Sequence, residues 1–184
     1  MKVTAVALLA AIAWGATPAA WADMTPEEAA NVARVTTYFE QLSRGDWKTA
    51  SQLYAPDAKN FGRPVGRAVL ARIMEDIVRT FPDVKVRVVE IVARADQVYA
   101  LCKFSGTHEG VGQLPIDGGL LVGVPPTHKH FENDVVHIFT FRNGSIINHV
   151  GVRDDLAMMT QLGLSPAPAP FDWAAFAQEA NKKP

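Results

Sequence analysis

Hydrophobic residues recur at helical spacing in the first part of the chain and at alternate positions in the middle, and this change of period divides it. Thr25-Pro26-Glu27-Glu28 has the spacing of a capping box with proline at the first helical position, and Val32, Val35, Phe39 and Leu42 follow until Gly45, so a first helix is predicted there. Asp46 to Ala50 starts a short second helix that presents Trp47, Ala50 and Leu53, with Pro56 as its expected stop. After an extended piece around Ala58 to Phe61, Gly66 precedes a third helix carrying Val69, Leu70, Ile73, Ile77 and Val78 on its apolar side and ending at Phe81-Pro82-Asp83.

From Val84 to His108 the period drops to two, which predicts strands VKVRVVEIVA and QVYALCKFSGTH joined at Arg94-Ala95-Asp96. Glu109 to Thr127 is too rich in Gly and Pro for regular structure, yet it keeps Leu114, Ile116, Leu120, Leu121 and Val124, a composition that suits a lid or an interface arm. A last pair of strands flanks Asn143-Gly144, the strongest short signal for a two-residue type I′ hairpin turn. A short helix from Asp154 to Leu162, capped by Gly163, follows. Ser165 to Pro170 reads as a Pro/Ala linker, and Asp172 as the cap of a final helix.

The hairpin turn fixes an expected register. With Arg142 opposite Ser145, a regular ladder pairs Phe141 with Ile146, Phe139 with Asn148, His137 with Val150, Val135 with Val152 and Asn133 with Asp154. One face then holds Asn133, His137, Asn148 and Asp154 on an apolar wall that includes Phe139 and Val150, the make-up of a small-molecule pocket. The other face holds His149, Gly151 and Arg153, with Arg153 opposite Asp134 as an ion pair on an outer or interface side.

Three helices, four long strands in antiparallel hairpins and a short helix, in this order, form an α+β class in which a curved sheet can wrap round a long helix. Pro56-Asp57 with Asn60, Gly62-Arg63-Pro64-Val65-Gly66-Arg67, Phe81-Pro82-Asp83, Gly106-Thr107-His108, Pro125-Pro126-Thr127, Asn143-Gly144 and His149 to Asp154 with Gln161-Leu162-Gly163 form a set. Together they resemble the SnoaL-like polyketide (ester) cyclases of the nuclear transport factor 2-like superfamily, from about Pro26 to Gly163. The resemblance implies a cone of N-terminal helices packed in a curved antiparallel sheet, with an internal apolar pocket. It also implies dimers through the outer sheet face, no metal or organic cofactor, and ring closure by intramolecular aldol condensation. Asp154 matches the family's acidic residue at the end of the last long strand, the general acid/base, and Phe61 stands in the pocket where relatives often carry His.

Asp154 also begins a helix, so capping competes with catalysis there, and Asp155 is the capping side chain if Asp154 points inward. His137 stands four residues along the ladder from Asp154, roughly 13 Å at about 3.3 Å per residue, so the two address different ends of a ligand. His108 is expected at the pocket mouth, and Asn60 and Asn148 can orient a carbonyl or enolate oxygen. Isomerase or dehydratase chemistry would need a Tyr or a second acid near Asp154, and Tyr38, Tyr54 and Tyr99 have no obvious placement for it. His128-Lys129-His130 has the look of a metal pattern, but the expected register separates His137 from His149, and no His-Glu-x-x-His or paired-cysteine spacing occurs.

Composition narrows these readings. Lys2, an apolar Ala/Val/Leu/Ile run and Ala20-Trp21-Ala22 form a secretory signal peptide over residues 1–22 cleaved after Ala22, with an uncleaved anchor as the alternative. Residues 23–163 are then one domain, and 164–184 the linker and C-terminal helix. The expected location is secreted or periplasmic. Of 18 Lys and Arg residues, removal of Lys2 leaves 17 against 19 acidic ones, a formal charge of −2 without long runs, so nucleic acid is not an expected partner. The single cysteine, Cys102, excludes an intramolecular disulfide and reads as a core residue. The expected ligand is a small, mostly apolar carbonyl compound bound without a cofactor; a non-catalytic periplasmic binding or assembly module on the same cone is the alternative.

Overall fold

The computed structural model describes residues 24–114 and 120–164. The expected signal peptide, Ser165–Pro170 linker and C-terminal helix lie outside these residues. Helix α1 (Pro26–Ser43) begins with the expected reciprocal box: the Thr25 backbone N–H donates to Glu28 Oε2 at 2.8 Å and the Glu28 N–H to Thr25 Oγ1 at 3.2 Å. Asp46 caps α2 (Trp47–Ser51) by accepting from the Thr49 N–H at 3.1 Å.

Pro56 does not stop α2, as the sequence suggested; it lies inside strand β1 (Tyr54–Asn60). Pairing explains why it is tolerated. Tyr54 pairs with Ile146 and the next partners are Lys59 and Asn148, so Pro56 falls in an irregular stretch where no ladder needs its missing N–H. Phe61 and Gly62 then turn the chain with φ of 51° and 75° into β2 (Arg63–Pro64), and α3 follows (Gly66–Thr80).

Strands β3 (Lys85–Arg94), β4 (Gln97–Thr107), β5 (His130–Arg142) and β6 (Ser145–Arg153) form the two expected hairpins, and α4 (Asp155–Leu162) closes the domain. The six-stranded sheet runs β2-β1-β6-β5-β4-β3, with β1 parallel to β6 and every other pair antiparallel. Its concave side packs on α1 and α3 through Val35, Phe39, Leu42, Leu70, Met74, Val98, Ala100, Cys102 and Phe139. A second cluster, Phe81, Phe104, Phe131, Met158 and Leu162, seats α4. This is the α+β cone, a curved sheet around helices, that the resemblance implies.

The loop after β4 is fastened to α3. Asp76, 3% exposed, accepts from the Gln113 N–H at 3.1 Å and the Leu114 N–H at 3.0 Å and pairs with Arg79, while the Glu109 and Gly110 N–H groups donate to the Thr80 carbonyl. A buried carboxylate is stable there because a cation and two amide donors replace its hydration.

The expected ladder of the last hairpin is corrected at one residue. Asn143 and Gly144 do form the turn, with φ of 51° and 74°, and Arg142 faces Ser145 and Phe141 faces Ile146. The next pair is Thr140 with Asn148, so Ile147 is an extra residue, a β-bulge. Beyond it Phe139 faces His149, Ile138 faces Val150, His137 faces Gly151, Val136 faces Val152 and Val135 faces Arg153. A one-residue slip exchanges the faces of a strand. His149, Gly151 and Arg153 therefore join His137 inside, while Asn148, Val150 and Val152 lie outside. Arg153 bonds Asp155 at 2.5 Å, and Asp134 pairs with Lys103 at 2.7 Å rather than with Arg153.

Deleting Ile147 would restore the regular ladder and turn His149 and Arg153 outward. Urea unfolding of that deletion should show a loss above about 3 kcal/mol or no cooperative transition, against about 1 kcal/mol for Ile147→Val. A deletion variant as stable as the parent would refute the importance of the bulge.

Candidate functional site: an apolar cavity with a neutral tyrosine–histidine chain

The cavity follows from what the bulge turns inward. It has a volume of about 100 Å³ and lies between α1, α3 and the concave sheet. Leu70, Ile73, Met74 and Ile77 of α3 face Val86, Phe104 and Val135 of the sheet across it. Phe61, half-exposed in its left-handed turn, stands at the rim with Asn60.

Polar groups meet in one place on this wall. The Tyr54 hydroxyl lies 2.9 Å from His149 Nδ1, and His149 Nε2 lies 2.9 Å from His137 Nδ1. Tyr38 packs beside the chain, its ring edge-on to Tyr54 with centroids 5.8 Å apart and its centroid 6.4 Å from that of His149. Phe139, fully buried beneath, stacks on His149 with centroids 4.3 Å apart and planes at 14°.

All of these groups are held neutral at physiological pH. Burial lowers the His137 pKa to about 4, helped by the positive charge of Arg153, and burial followed by repulsion from His137 takes His149 well below its ordinary value. Burial raises both tyrosines, Tyr54 strongly. The two imidazoles keep some accessible area, and both border the cavity.

A neutral imidazole has one N–H and one lone pair, so the contacts permit two proton orders. In one, Tyr54 donates to His149 and His149 to His137, leaving an N–H at His137 Nε2. In the other every bond reverses and His137 Nε2 is a bare lone pair. That nitrogen is buried without a hydrogen-bond partner. Passing from the first order to the second releases the His137 Nε2 proton and draws one from Tyr54, so His137 Nε2 changes from acid to base without net charge only when the Tyr54 oxygen takes up a replacement proton.

The expected site residues divide. His137, Asn60 and Phe61 border the cavity. Phe139 supports the histidines from the core, and Asn133 is buried, its Nδ2 donating to the Asp154 carbonyl at 2.8 Å. Asn148 and Val150 are corrected to the outer face, where Asn148 Oδ1 accepts from the Gly62 N–H at 3.1 Å. Asp154 is exposed, and its Oδ1 accepts from the Ala157 N–H at 2.9 Å as the cap of α4, so capping falls to Asp154 and not to Asp155. His108 is not at the mouth: it is fully buried against Phe81, accepts the Thr127 N–H at Nδ1, and has its pKa lowered by burial. His128 and His130 contact Glu109 and Thr107 instead of joining the inner pair. No cluster suited to a metal ion occurs among the described residues.

Residues 33–162 match the family model for SnoaL-like polyketide cyclases, most of the chain. The chain belongs to this family. None of the curated proteins matches it. Among solved structures it is similar to AclR of Streptomyces galilaeus, a proposed hydroxylase, at 23% identity and a TM-score of 0.66 over 83% of this chain and 93% of that one. IdmH of Streptomyces antibioticus, a proposed polyketide cyclase, is 28% identical with a TM-score of 0.58, over 72% and 98% of the two chains. A SnoaL-like protein of Jannaschia sp. CCS1 is 22% identical at a TM-score of 0.65, over 78% and 99%. These likenesses establish the nuclear transport factor 2-like cone, and membership supports a cyclase-like or ligand-binding role for the cavity.

Sequence reasoning missed Tyr38, Tyr54 and His149. Gly151 was one signal for them, since a glycine inside a strand marks a bulge or a close approach; a Cβ built there would stand 3.5 Å from His137 Nδ1.

The lowered His137 pKa makes stability depend on pH. The unfolded chain takes up the proton near pH 6.5, the folded chain only near 4, so protons favour unfolding between these values. Stability should be full above about pH 6.5 and fall by about 3 kcal/mol as pH drops towards 4 from this group alone. Urea titrations across that range should show a shallower fall for His137→Gln, and equal slopes would reject the assignment.

Proposed function

We propose that the protein binds a small, mostly apolar carbonyl compound in the cavity and catalyses cofactor-independent acid/base chemistry on it, of the aldol-cyclisation type. The observation that carries this reading is the neutral Tyr54–His149–His137 chain on an otherwise apolar wall. A neutral imidazole donor can polarise a carbonyl and bear the proton of the enol without bringing a full charge into the cavity. An imidazole of low pKa is a weak base, so the proton it removes must be acidic, as on a carbon between two carbonyls. His137 Nε2 is the atom assigned to that proton: it takes it from the carbon as the electron pair moves onto the carbonyl oxygen, and returns it to the alkoxide formed when the new carbon–carbon bond closes, while His149 and Tyr54 hold the other ring nitrogen. Asp154, whose side chain caps α4, is left out of this mechanism.

Isomerisation or dehydration of a related ketone uses the same groups, and the presence of Tyr38 and Tyr54 beside the histidines favours it as a second reading. Solvent-deuterium exchange into small 1,3-dicarbonyl compounds, followed by NMR, tests both. His137→Gln and His149→Phe should each lower the catalysed rate by about a hundredfold or more, whereas Asp154→Asn should leave it near the parent value. If Asp154→Asn abolishes exchange and the histidine variants do not, the assignment fails. If no compound exchanges, the non-catalytic binding-module reading replaces it.

We further propose export and homodimerisation. Export rests on residues 1–22, with their Lys2, apolar run and Ala20-Trp21-Ala22. Pairing rests on the outer sheet face, where Val92, Tyr99, Val136 and Val152 are exposed and Leu101, Ile138 and Val150 lie beside them in adjoining rows. Such a contiguous apolar patch favours a protein partner, and no helix among the described residues is long and apolar enough to cross a membrane. Native mass spectrometry of protein from a periplasmic fraction should give a dimer of chains beginning at Asp23, reduced to monomer by Val136→Lys with Val152→Lys. A retained leader would exclude cleavage, and a monomeric parent would exclude pairing.

A further inference from the structure

The size and charge of the cavity restrict the ligand more narrowly than the family does. A cavity of about 100 Å³, open at the Phe61 rim, is of the same order as the ~150 Å³ cavity that encloses benzene in an engineered protein interior, which is room for about one six-membered ring. Its walls cannot easily recede. Leu70 and Met74 are 3% and 2% exposed and belong to the main core, and close-packed interiors resist the insertion of even a few extra carbons. A second fused ring would have to displace these side chains or remain outside.

Charge restricts it independently. Among the described lining residues Arg153 is the one formal charge, and that guanidinium already bonds Asp155 and lies over the Phe104 ring with its carbon 5.6 Å from the centroid. The groups at the polar end, Tyr38, Tyr54, His137 and His149, are uncharged. An anion placed against them would lose its hydration with no new counter-charge to replace it. A neutral carbonyl needs only the hydrogen bond that an imidazole N–H or a phenol offers.

We propose that the cavity is selective for an uncharged, monocyclic-sized ketone, inserted carbonyl-first towards the histidine pair, and excludes both polycyclic ketones and carboxylates of equal size. This rests on the binding reading above but not on its catalytic step. The polar end recognises the carbonyl oxygen, and the α3 side chains Ile73 and Met74 set the length limit.

The test uses the full mature chain and four probes: cyclohexanone, 1-decalone, anthrone and cyclohexanecarboxylate. Titrations followed by the imidazole nitrogen resonances of His137 and His149 should give cyclohexanone an affinity at least about tenfold above each of the others, the scale expected for a few misplaced carbons in an apolar pocket. Ile73→Ala and Met74→Ala, each checked for folding by circular dichroism, should raise decalone affinity and narrow the gap; Ile73 is partly buried and the milder change. Equal binding of decalone, anthrone or the carboxylate overturns the proposal, and so does a cyclohexanone titration that leaves both histidines unmoved. Deuterium exchange into bound cyclohexanone is read separately: binding without exchange preserves the size class and counts against acid/base catalysis alone.

Discussion

The extra residue at Ile147 is the constraint on which the site depends, because a strand has only two faces and one inserted residue reassigns everything beyond it. Before the bulge, Ile146 packs into the core and its N–H donates to the Leu53 carbonyl, locking β6 to the start of β1. After it, the same strand sends His149, Gly151 and Arg153 inward and Val150 and Val152 outward. One backbone irregularity therefore supplies two surfaces, the polar end of the cavity and an apolar stripe on the convex side. Bulges near sites commonly re-aim side chains in this way, and the local bend suits a sheet that curls around α1 and α3.

The inner surface is stable because its polar groups satisfy one another without ionising. Charged histidines here would have to be desolvated beside Arg153, and a charged tyrosine would be worse, so burial selects neutral forms joined by hydrogen bonds. A neutral network has a further consequence: each member's proton position depends on its neighbour's. A ligand that binds at one end sets the order along the whole chain. Phe139 contributes by stacking on His149, and Gly151 by presenting no side chain opposite His137, which leaves space at the cavity surface beside the pair.

Local signals in the sequence were reliable where local physics decides the outcome. The Thr25–Glu28 box, the Asp46 cap, the Asn143-Gly144 turn, the alternating runs of β3 and β4 and the Gly163 stop all recur in the structure because each is settled within a few residues. The cone itself was legible through the resemblance and the helix-to-sheet order. Register beyond the turn was not, since a turn fixes only the pairs beside it. The consecutive Ile146 and Ile147, which break alternation, and Gly151 inside a strand were the available hints. Tyr54 was hidden for another reason: its strand contains Pro56 and pairs parallel with β6, a long-range contact without a short-range signature.

Asp154 illustrates how a position shared with a family can carry a different duty. At the end of β6 a carboxylate can turn in towards the cavity or forward onto the first turn of α4, and here it accepts the Ala157 amide while Asn133 holds its own carbonyl. The cap satisfies a helix donor that would otherwise be orphaned, and it keeps the carboxylate in water. Turning it inward would lose that bond and move a negative charge into a wall whose other groups are neutral, where the imidazoles would be drawn towards protonation. The neutral histidine pair and the outward Asp154 are therefore mutually supporting features: with the carboxylate kept in water, the cavity can hold two imidazoles uncharged side by side.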